Sequence, residues 1–583
     1  MQKIYLDFLE PYWVVIKGEF NFIQEKIKPF VGCQYDFKNK FWKFRINYLP
    51  LFSKFIEICE IICSDLLFEA YTKHQAFVEI SQKIKNTEFS SYEQFCKTKL
   101  ESIQIQGALW LNHIRKGIIA FGTGVGKTFT ALEACHLLNS ITGKQKILIV
   151  TLNQITSQWQ KEIEANFPKL KVFNVNQYKD RQQCYDEFED YNKLSCLVIN
   201  FEKIRIDLEF LQKMTFDAIV IDEASKIKAT NLTTSKKIKG KKQLNNRGSL
   251  KELCKKVEYV FGLTATPIET SYYNLFGIFN VIDEDLFSGG FIRFQNRYFL
   301  KDFFGHYVIT NKDNVNELKE FVSPYLFTKK IDLKVKVKCQ KIDLSFTKED
   351  LEKYKKITTD IKEQYLKKHP YLGNEGDIES IEEYQKLLNG QVNFEATNLI
   401  YQFCDFPSIV YPKDYTDNYS PKLQWVLDNI KNISGKTIIF DSRTETTNRI
   451  CKAFDKNNIK YFCIDGSIPL KKRDLIIEKL KTSTDTNILI CSDCMSYGVN
   501  VQFCSNMIFF NLAYNPAVLS QRAGRIIRRG QKNEVNIFIL SMKNTREEKI
   551  CKKINQRINE AEDVTNEILN TKKKDLIKFI EEK

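Results

Sequence analysis

Residues 117–138 read GIIAFGTGVGKTFTALEACHLL. A short apolar run ends at Phe121, glycines at 122, 124 and 126 follow, and Lys127-Thr128 opens a stretch with helical periodicity. That order is strand, glycine loop, helix. Glycines let backbone N–H groups turn toward a bound anion, and the helix N-terminus that follows favours negative charge. Gly124, Val125, Gly126, Lys127 and Thr128 are therefore the candidate phosphate-binding set. Lys127 would reach the β- and γ-phosphates, and the Thr128 hydroxyl would ligate Mg²⁺. The strict G-x-x-x-x-G-K-T spacing asks for glycine at 121, where this chain has Phe121. The core from Gly124 to Thr128 is intact.

A second block complements the first. FDAIVIDEAS, residues 216–225, ends an apolar run on Asp222-Glu223. In an open parallel sheet the carboxyl ends of the strands are where ligands bind. Asp222 would hold a metal through its water shell, and Glu223 would orient and deprotonate an attacking water. An acid pair at a helix N-terminus is the bland alternative.

Around these blocks, continuous β-branched runs alternate with helical stretches. KGIIAF, KILIVTL, KVFNV, LSCLVINF, FDAIVID and YVFGLTA lie between about 90 and 285. KTIIFD, IKYFCID, NILICSD, NMIFFNL and VNIFILS lie between about 420 and 545. Such runs predict parallel sheets covered on both faces. Residues 291–415 read mainly as helices with polar connections. The expected architecture is α/β: an N-terminal accessory domain over 1–88, a first lobe over 89–288, helical protrusions and a connector over 289–415, a second lobe over 416–560 and a tail helix over 561–583.

Length and composition agree with several modules. The chain has 583 residues, 43% hydrophobic and 13% aromatic, beyond the size at which a single core keeps growing. A net charge of +16 suggests a polyanionic partner, or an excess of solvated lysine. Residues 226–248 carry eight Lys or Arg and no acid; they read as a mobile basic loop, open to phosphate contact or to plain solvation. The sixteen cysteines are scattered singly through apolar stretches, as reduced buried thiols are. Cys491 and Cys494 form one C-x-x-C with no second pair at zinc spacing. The start, MQKIYLDFLEPYW, has no secretory pattern and no run is long enough to span a bilayer. The expectation is a soluble intracellular monomer, cytoplasmic in a bacterium or infected host cell and nuclear in a eukaryote.

GTGVGKT, VIDEAS and GLTATP resemble motifs I, II and III of superfamily 2 helicases and translocases. ILIVTLNQITSQWQKEIEANFP, LVINFEKIR and LTATPIETSYYNLFGIFNVIDEDLF are similar to blocks of the Swi/Snf-type branch. LESIQIQGALWL resembles its Q-motif, which implies that Gln104 reads an adenine edge and that the nucleotide is ATP. SPYLFTKKIDLKVKVKCQKIDLSFT and LIYQFCDFPSIV resemble the connector into the second lobe and its protrusion element. SPKLQWVLDNI, KTIIFDSR, YFCIDGSIPLKKRDLIIEKL and the run from SDCMSYGVNVQ through QRAGRIIRRGQ match that lobe in order. The resemblance covers about residues 95–555 and implies two RecA-like lobes, ATP with Mg²⁺, and duplex or branched DNA held by its phosphate backbone.

QRAGRIIRRGQ, residues 521–531, has four arginines. Charge that develops on a transferred phosphoryl group needs cationic donors, and arginine's fixed fork suits that role. Helical spacing would place Arg522, Arg525 and Arg528 or Arg529 on one side, with Ile526 and Ile527 inward. The resemblance implies that Arg525 and Arg528 meet the γ-phosphate, that Gln521 completes the set, and that Arg522 and Arg529 serve salt bridges or DNA.

Near the front, FNFIQEKIKPFVGCQYDFKNKFWKF resembles the HARP-like module of annealing helicases through Tyr35, Asp36, Lys40 and Trp42. The alternative is a small aromatic-cored α+β domain that packs on the first lobe. If the resemblance holds, Lys38, Lys40, Lys43 and Arg45 help to bind branched or single-stranded DNA, and Trp42 stacks. With Ser157, Trp159, Lys236, Lys237 and Lys241, Trp42 makes up the candidate nucleic-acid set. The expected function is ATP-dependent DNA translocation: fork remodelling, strand annealing or protein displacement. A strand-separating DNA or RNA helicase and a non-enzymatic DNA-binding scaffold are the alternatives.

Overall fold

The structure, a computed structural model, describes residues 3–548 except 19–22, 28–29, 56–59, 90–91, 123, 229–232, 239–240, 266, 268–271, 302–306, 310–311, 330–334, 369–393, 493–500, 512–515 and 529–530. The tail helix expected at 561–583 lies outside the described residues. The chain divides into two units, residues 1–300 with 308–329, and residues 330–583 with 301–307.

Short apolar and alternating runs at the N-terminus make strands. They are β1 (Lys3–Leu9), β2 (Trp13–Lys17), β3 (Gln34–Asp36), β4 (Phe41–Arg45) and β5 (Glu60–Cys63). The sheet runs β3-β4-β2-β1-β5, antiparallel except between β1 and β5. Trp42 and Phe44 alternate inward along β4. Phe44 stacks on Phe52 at 4.5 Å, and Phe30 meets both rings edge-on.

This module, with its aromatic core, belongs to the same unit as the first lobe. Arg45 Nη1 pairs with Asp283 at 2.5 Å, and Tyr12 donates to Asp285 at 2.5 Å. A Cβ added to Gly289 would lie 1.7 Å from the Val31 carbonyl oxygen, so only glycine permits this approach. The helix Asp65–Asn86 continues the bond: Lys85 Nζ donates to the carbonyls of Ser323 and Leu326, and Ser81 links the Trp110 indole to Pro324.

The first lobe is built on β6 (Lys116–Phe121), β7 (Lys146–Thr151), β8 (Lys171–Asn174), β9 (Ser195–Asn200) and β10 (Ala218–Asp222). A two-stranded antiparallel hairpin, β11 (Thr233–Ile238) and β12 (Lys241–Leu244), follows. Then come β13 (Tyr259–Leu263), the short pair β14 (Phe299–Lys301) and β15 (Tyr307–Ile309), and β16 (Leu326–Lys329). The main sheet is parallel throughout, in the order β16-β6-β13-β10-β7-β9-β8. Every residue of β9, β10 and β13 is buried, as strands covered on both faces must be.

Two corrections arise here. The stretch 226–248 is not a loop throughout: it holds the β11–β12 hairpin, and Asn245 caps the helix Asn246–Cys254. Within that helix Arg247 is buried and donates to the carbonyls of Ile227 and Gly277, so it fastens the base of the hairpin. Burial also pulls its pKa down to about 10. The connector at 289–415, in turn, is not only helical. Its β16 completes the first sheet, pairing with β6.

The second unit contains β17 (Val337–Leu344), β18 (Thr437–Phe440), β19 (Phe462–Ile464), β20 (Ile488–Cys491), β21 (Asn506–Phe509) and β22 (Val535–Met542). These strands form a parallel sheet, β17-β22-β21-β18-β20-β19. Strand β17 also comes from the connector. Thirteen cysteines are described, all free and nine of them buried, so they pack as small apolar side chains; Cys494 lies outside the described residues.

Candidate functional site

The helix Lys127–Thr142 starts where β6 ends. Gly124 and Gly126 take positive φ (82° and 92°), which turns the loop back on itself. A side chain on Gly126 would collide with Gln104, whose Nε2 would be 2.1 Å from the added Cβ. Lys127 Nζ donates to the carbonyls of Phe121 (3.0 Å) and Gly122 (3.3 Å), so the ammonium lies along the inside of the loop. Phe121, the departure from the strict motif, is the last residue of β6 and contributes a carbonyl, which any residue can supply.

Gln104 is the third residue of the helix Ser102–Ile114 and is buried. Its Oε1 accepts from the Glu101 N–H (2.9 Å), and its Nε2 donates to the Val125 carbonyl (3.0 Å). One end of the amide thus caps its own helix, and the other braces the loop. On the loop's own helix Glu133 is buried and accepts from the N–H groups of Phe95 and Cys96, tying down the segment before the Gln104 helix.

Asp222 closes β10. Strand β10 lies two places from β6, roughly 10 Å at ordinary strand spacing. Its Oδ2 accepts from the Trp159 indole (2.8 Å) and the Thr151 hydroxyl (3.0 Å), and its Oδ1 from the Glu223 N–H (2.9 Å). Glu223 sits at φ +51°, a left-handed conformation uncommon for a residue with a Cβ. Strain of this kind concentrates at functional sites. Thr128 and Asp222 supply hydroxyl and carboxylate oxygens only, a donor set that suits Mg²⁺.

Several sequence expectations change. Trp159 is 2% exposed and holds Asp222, so its indole is not available to nucleic acid. Ser157, two residues earlier, is exposed. Trp42 is buried against Tyr35, with the Arg293 guanidinium over its face, and cannot stack on a base. Lys43 is held by Asp36 and Arg45 by Asp283, whereas Lys38 and Lys40 are exposed. Lys236, Lys237 and Lys241 fall on the β11–β12 hairpin.

In the second unit the helix Pro516–Ala523 ends inside QRAGRIIRRGQ, and turns follow it: Arg525 N donates to Arg522 O and Ile526 N to Ala523 O. Helical spacing therefore does not relate Arg522 to Arg525 and Arg528, which lie beyond the helix end. Arg522 is fully buried, its guanidinium 5.5 Å from the Phe440 ring and 6.0 Å from that of Phe509. That placement excludes the DNA role considered for it. Arg525 and Arg528 are half-buried, Ile526 is buried, and Arg529 lies outside the described residues. Gln521 is buried, and its Oε1 has no hydrogen-bond partner among the described residues.

The sequence reading missed the polar network beneath this segment. Lys422 is buried between Asp405 (2.8 Å) and Glu547 (2.5 Å). Burial opposes its charge, and the two carboxylates outweigh that and keep its pKa above the usual lysine range. Arg443 and Asn511 reach the other oxygen of Asp405, and Asn511 also donates to Asp441 at the end of β18. Burial, reinforced by Asp405, pushes the Asp441 carboxyl up. The available signal is that KTIIFDSR and NMIFFNL read as strand ends in the sequence.

Residues 99–398 match the SNF2-related domain, and residues 421–530 match the helicase conserved C-terminal domain. The chain belongs to the SNF2-related family. An uncharacterized ATP-dependent helicase of Mycoplasma pneumoniae is 25% identical over 89% of this chain and 47% of its own length. A probable ATP-dependent DNA helicase of Arabidopsis thaliana is 23% identical over 79% of the chain and 43% of its own. The chain therefore spans less than half the length of these two SNF2-type relatives. A solved structure, the Sulfolobus solfataricus SWI2/SNF2 ATPase core in complex with double-stranded DNA, is 20% identical, with a TM-score of 0.38 over 82% of this chain and 95% of that one. Among the described residues, no helix is long and apolar enough to cross a membrane.

Proposed function

We propose that this SNF2-type chain hydrolyses ATP and uses the cycle to move along duplex or branched DNA. The observation that carries the reading is the pairing, at the carboxyl edge of one sheet, of a glycine-lined helix N-terminus with a buried carboxylate held at both oxygens. The loop N–H groups and the helix end receive phosphate oxygens. Lys127 exchanges its carbonyl partners for the β- and γ-phosphates, and Gln104 reads the adenine edge from its place against the loop. Thr128 and Asp222 hold Mg²⁺, which when bound neutralises phosphate charge. Glu223 orients the attacking water and takes its proton. Arg525 and Arg528 neutralise charge developing on the transferred group, and the spare Gln521 carbonyl accepts a hydrogen bond beside them.

DNA as the track is supported by the +16 net charge and by the names of relatives. Contacts to the phosphate backbone make binding tolerant of sequence and steeply salt-dependent. The test is ATP turnover with single-stranded, duplex and forked DNA and with RNA, alongside displacement of a triplex-forming strand. Strongest stimulation by duplex or forked DNA with triplex displacement supports translocation. Robust separation of a plain forked duplex, or stimulation by RNA alone, contradicts it.

A further inference from the structure

Two thiols of the second unit stand apart from the nine buried ones. Cys451 lies on the helix Thr444–Lys456 and Cys463 on β19, the edge strand of the sheet, and both are half-buried. Their surroundings make them face each other. Cys451, Phe454 and Asp455 share one face of the helix, being spaced by three and four residues. Tyr461, two residues before Cys463, holds that face twice: its ring stands edge-on to Phe454 at 5.7 Å, and its hydroxyl donates to Asp455 Oδ1 at 3.0 Å. Cys463 is in register with Ile490 of β20, which puts both side chains on one face of the sheet. Ile490 and Phe454 belong to one apolar cluster, and Cys451 packs against it. The two thiols meet there in a hydrogen bond.

That bond gives the pair a direction. The Cys463 S–H donates to the Cys451 sulfur and is the main cause holding the Cys451 thiol below the ordinary cysteine range, against its burial. The same contact pushes the Cys463 thiol up. Burial moves thiols the other way elsewhere, taking Cys135, Cys254 and Cys504 up to about 12. A thiolate is the form that attacks a peroxide, and a second thiol beside it resolves the sulfenic acid that results. Among the described residues no group of three or more His, Cys, Asp or Glu side chains could hold a metal ion, so a metal site does not account for the pair.

We propose that Cys451 and Cys463 are a thiol-oxidation site that closes to a disulfide with hydrogen peroxide as the oxidant. The Cys451 thiolate attacks one peroxide oxygen, the O–O bond breaks, and the departing hydroxide takes the proton that Cys451 gave up. The products are water and the Cys451 sulfenic acid. The Cys463 sulfur then attacks the Cys451 sulfur, the S–O bond breaks, and the hydroxide released leaves with the Cys463 proton as a second water. The peroxide is reduced and the two sulfurs are oxidised by one electron pair. The new bond staples the edge strand β19 to the helix beside it, and a dithiol reductant reopens it. This inference is independent of the nucleotide and nucleic-acid readings above.

The experiment exposes the folded full chain to substoichiometric hydrogen peroxide, blocks the remaining thiols with N-ethylmaleimide and maps cross-linked peptides by mass spectrometry. The Cys451–Cys463 peptide appears before any other cysteine is oxidised, and dithiothreitol removes it. Cys463→Ser keeps a hydroxyl donor but lacks the resolving sulfur, so dimedone traps a sulfenic acid at Cys451. Cys463→Ala removes the donor as well, and trapping slows several-fold. Cys451→Ser gives neither the cross-link nor a trapped Cys463. Oxidation of Cys451 no faster than that of the exposed Cys63 overturns the proposal, as does a cross-link that joins other cysteines first. Equal trapping in the two Cys463 variants overturns the role given to the Cys463 donor.

Discussion

Trp159 donates its indole N–H to Asp222 Oδ2 at 2.8 Å, from a position 2% exposed to solvent. The residue expected to touch nucleic acid is thus a positioning residue for the carboxylate at the end of β10. Trp159→Phe keeps most of the packing and removes one hydrogen bond to a charged group, worth about 1.5–3 kcal/mol. ATP turnover at saturating DNA should fall several-fold, with DNA affinity unchanged. A drop in DNA affinity with normal turnover would return Trp159 to the nucleic-acid surface.

Arg45 and Asp283 join the N-terminal module to the first lobe through an ion pair that is nearly buried on both sides. Removing one partner strands the other charge, a loss of about 3 kcal/mol or more. Arg45→Ala should lower the denaturation midpoint markedly, and Arg45→Ala with Asp283→Asn should cost less than the sum of the single changes. Additive single effects would show that the pair is not coupled.

The lobes were legible because their strands are apolar on both faces, and Lys127 and Asp222 because glycines and a strand-end acid pair have few other uses. What escaped the sequence were residues whose type fits two opposite environments. Arginine suits both a phosphate and an aromatic surface, and only the fold shows that Arg522 lies against the Phe440 and Phe509 rings. Strand β17 hid in the connector because its residues alternate between half-buried and exposed, the pattern of an edge strand. Arg45 reads as surface charge until Asp283, 238 residues away, is placed against it.

Asp441 gives the second unit a pH signature. Burial first, then the nearby Asp405, pushes its carboxyl up to about 7, while Arg443 N–H and Asn511 act against the shift. A carboxyl whose folded pKa exceeds its unfolded value takes up a proton on folding. Stability is then highest below the unfolded value of 3.8 and falls as pH rises toward 7. Asp441→Asn should be more stable than wild type at pH 8, by on the order of 1–2 kcal/mol, with the gap narrowing toward pH 5. Parallel unfolding midpoints at pH 5, 6.5 and 8 would refute this.

The hairpin test follows from the position of Arg247. Replacing residues 233–244 with a short glycine-serine turn keeps Arg247 and its anchors on Ile227 and Gly277. Should the hairpin lysines contact phosphate, duplex affinity falls and its salt dependence flattens by a few counterions. Unchanged affinity at two salt concentrations would leave those lysines simply solvated.

The most direct measurement of the central claim is duplex-stimulated ATP turnover in wild type, Lys127→Ala and Glu223→Gln, with DNA and nucleotide binding measured on the same samples. The account predicts that both variants lose at least a hundredfold in turnover and keep wild-type DNA affinity, while Glu223→Gln alone retains ATP. Wild-type turnover in either variant would contradict it.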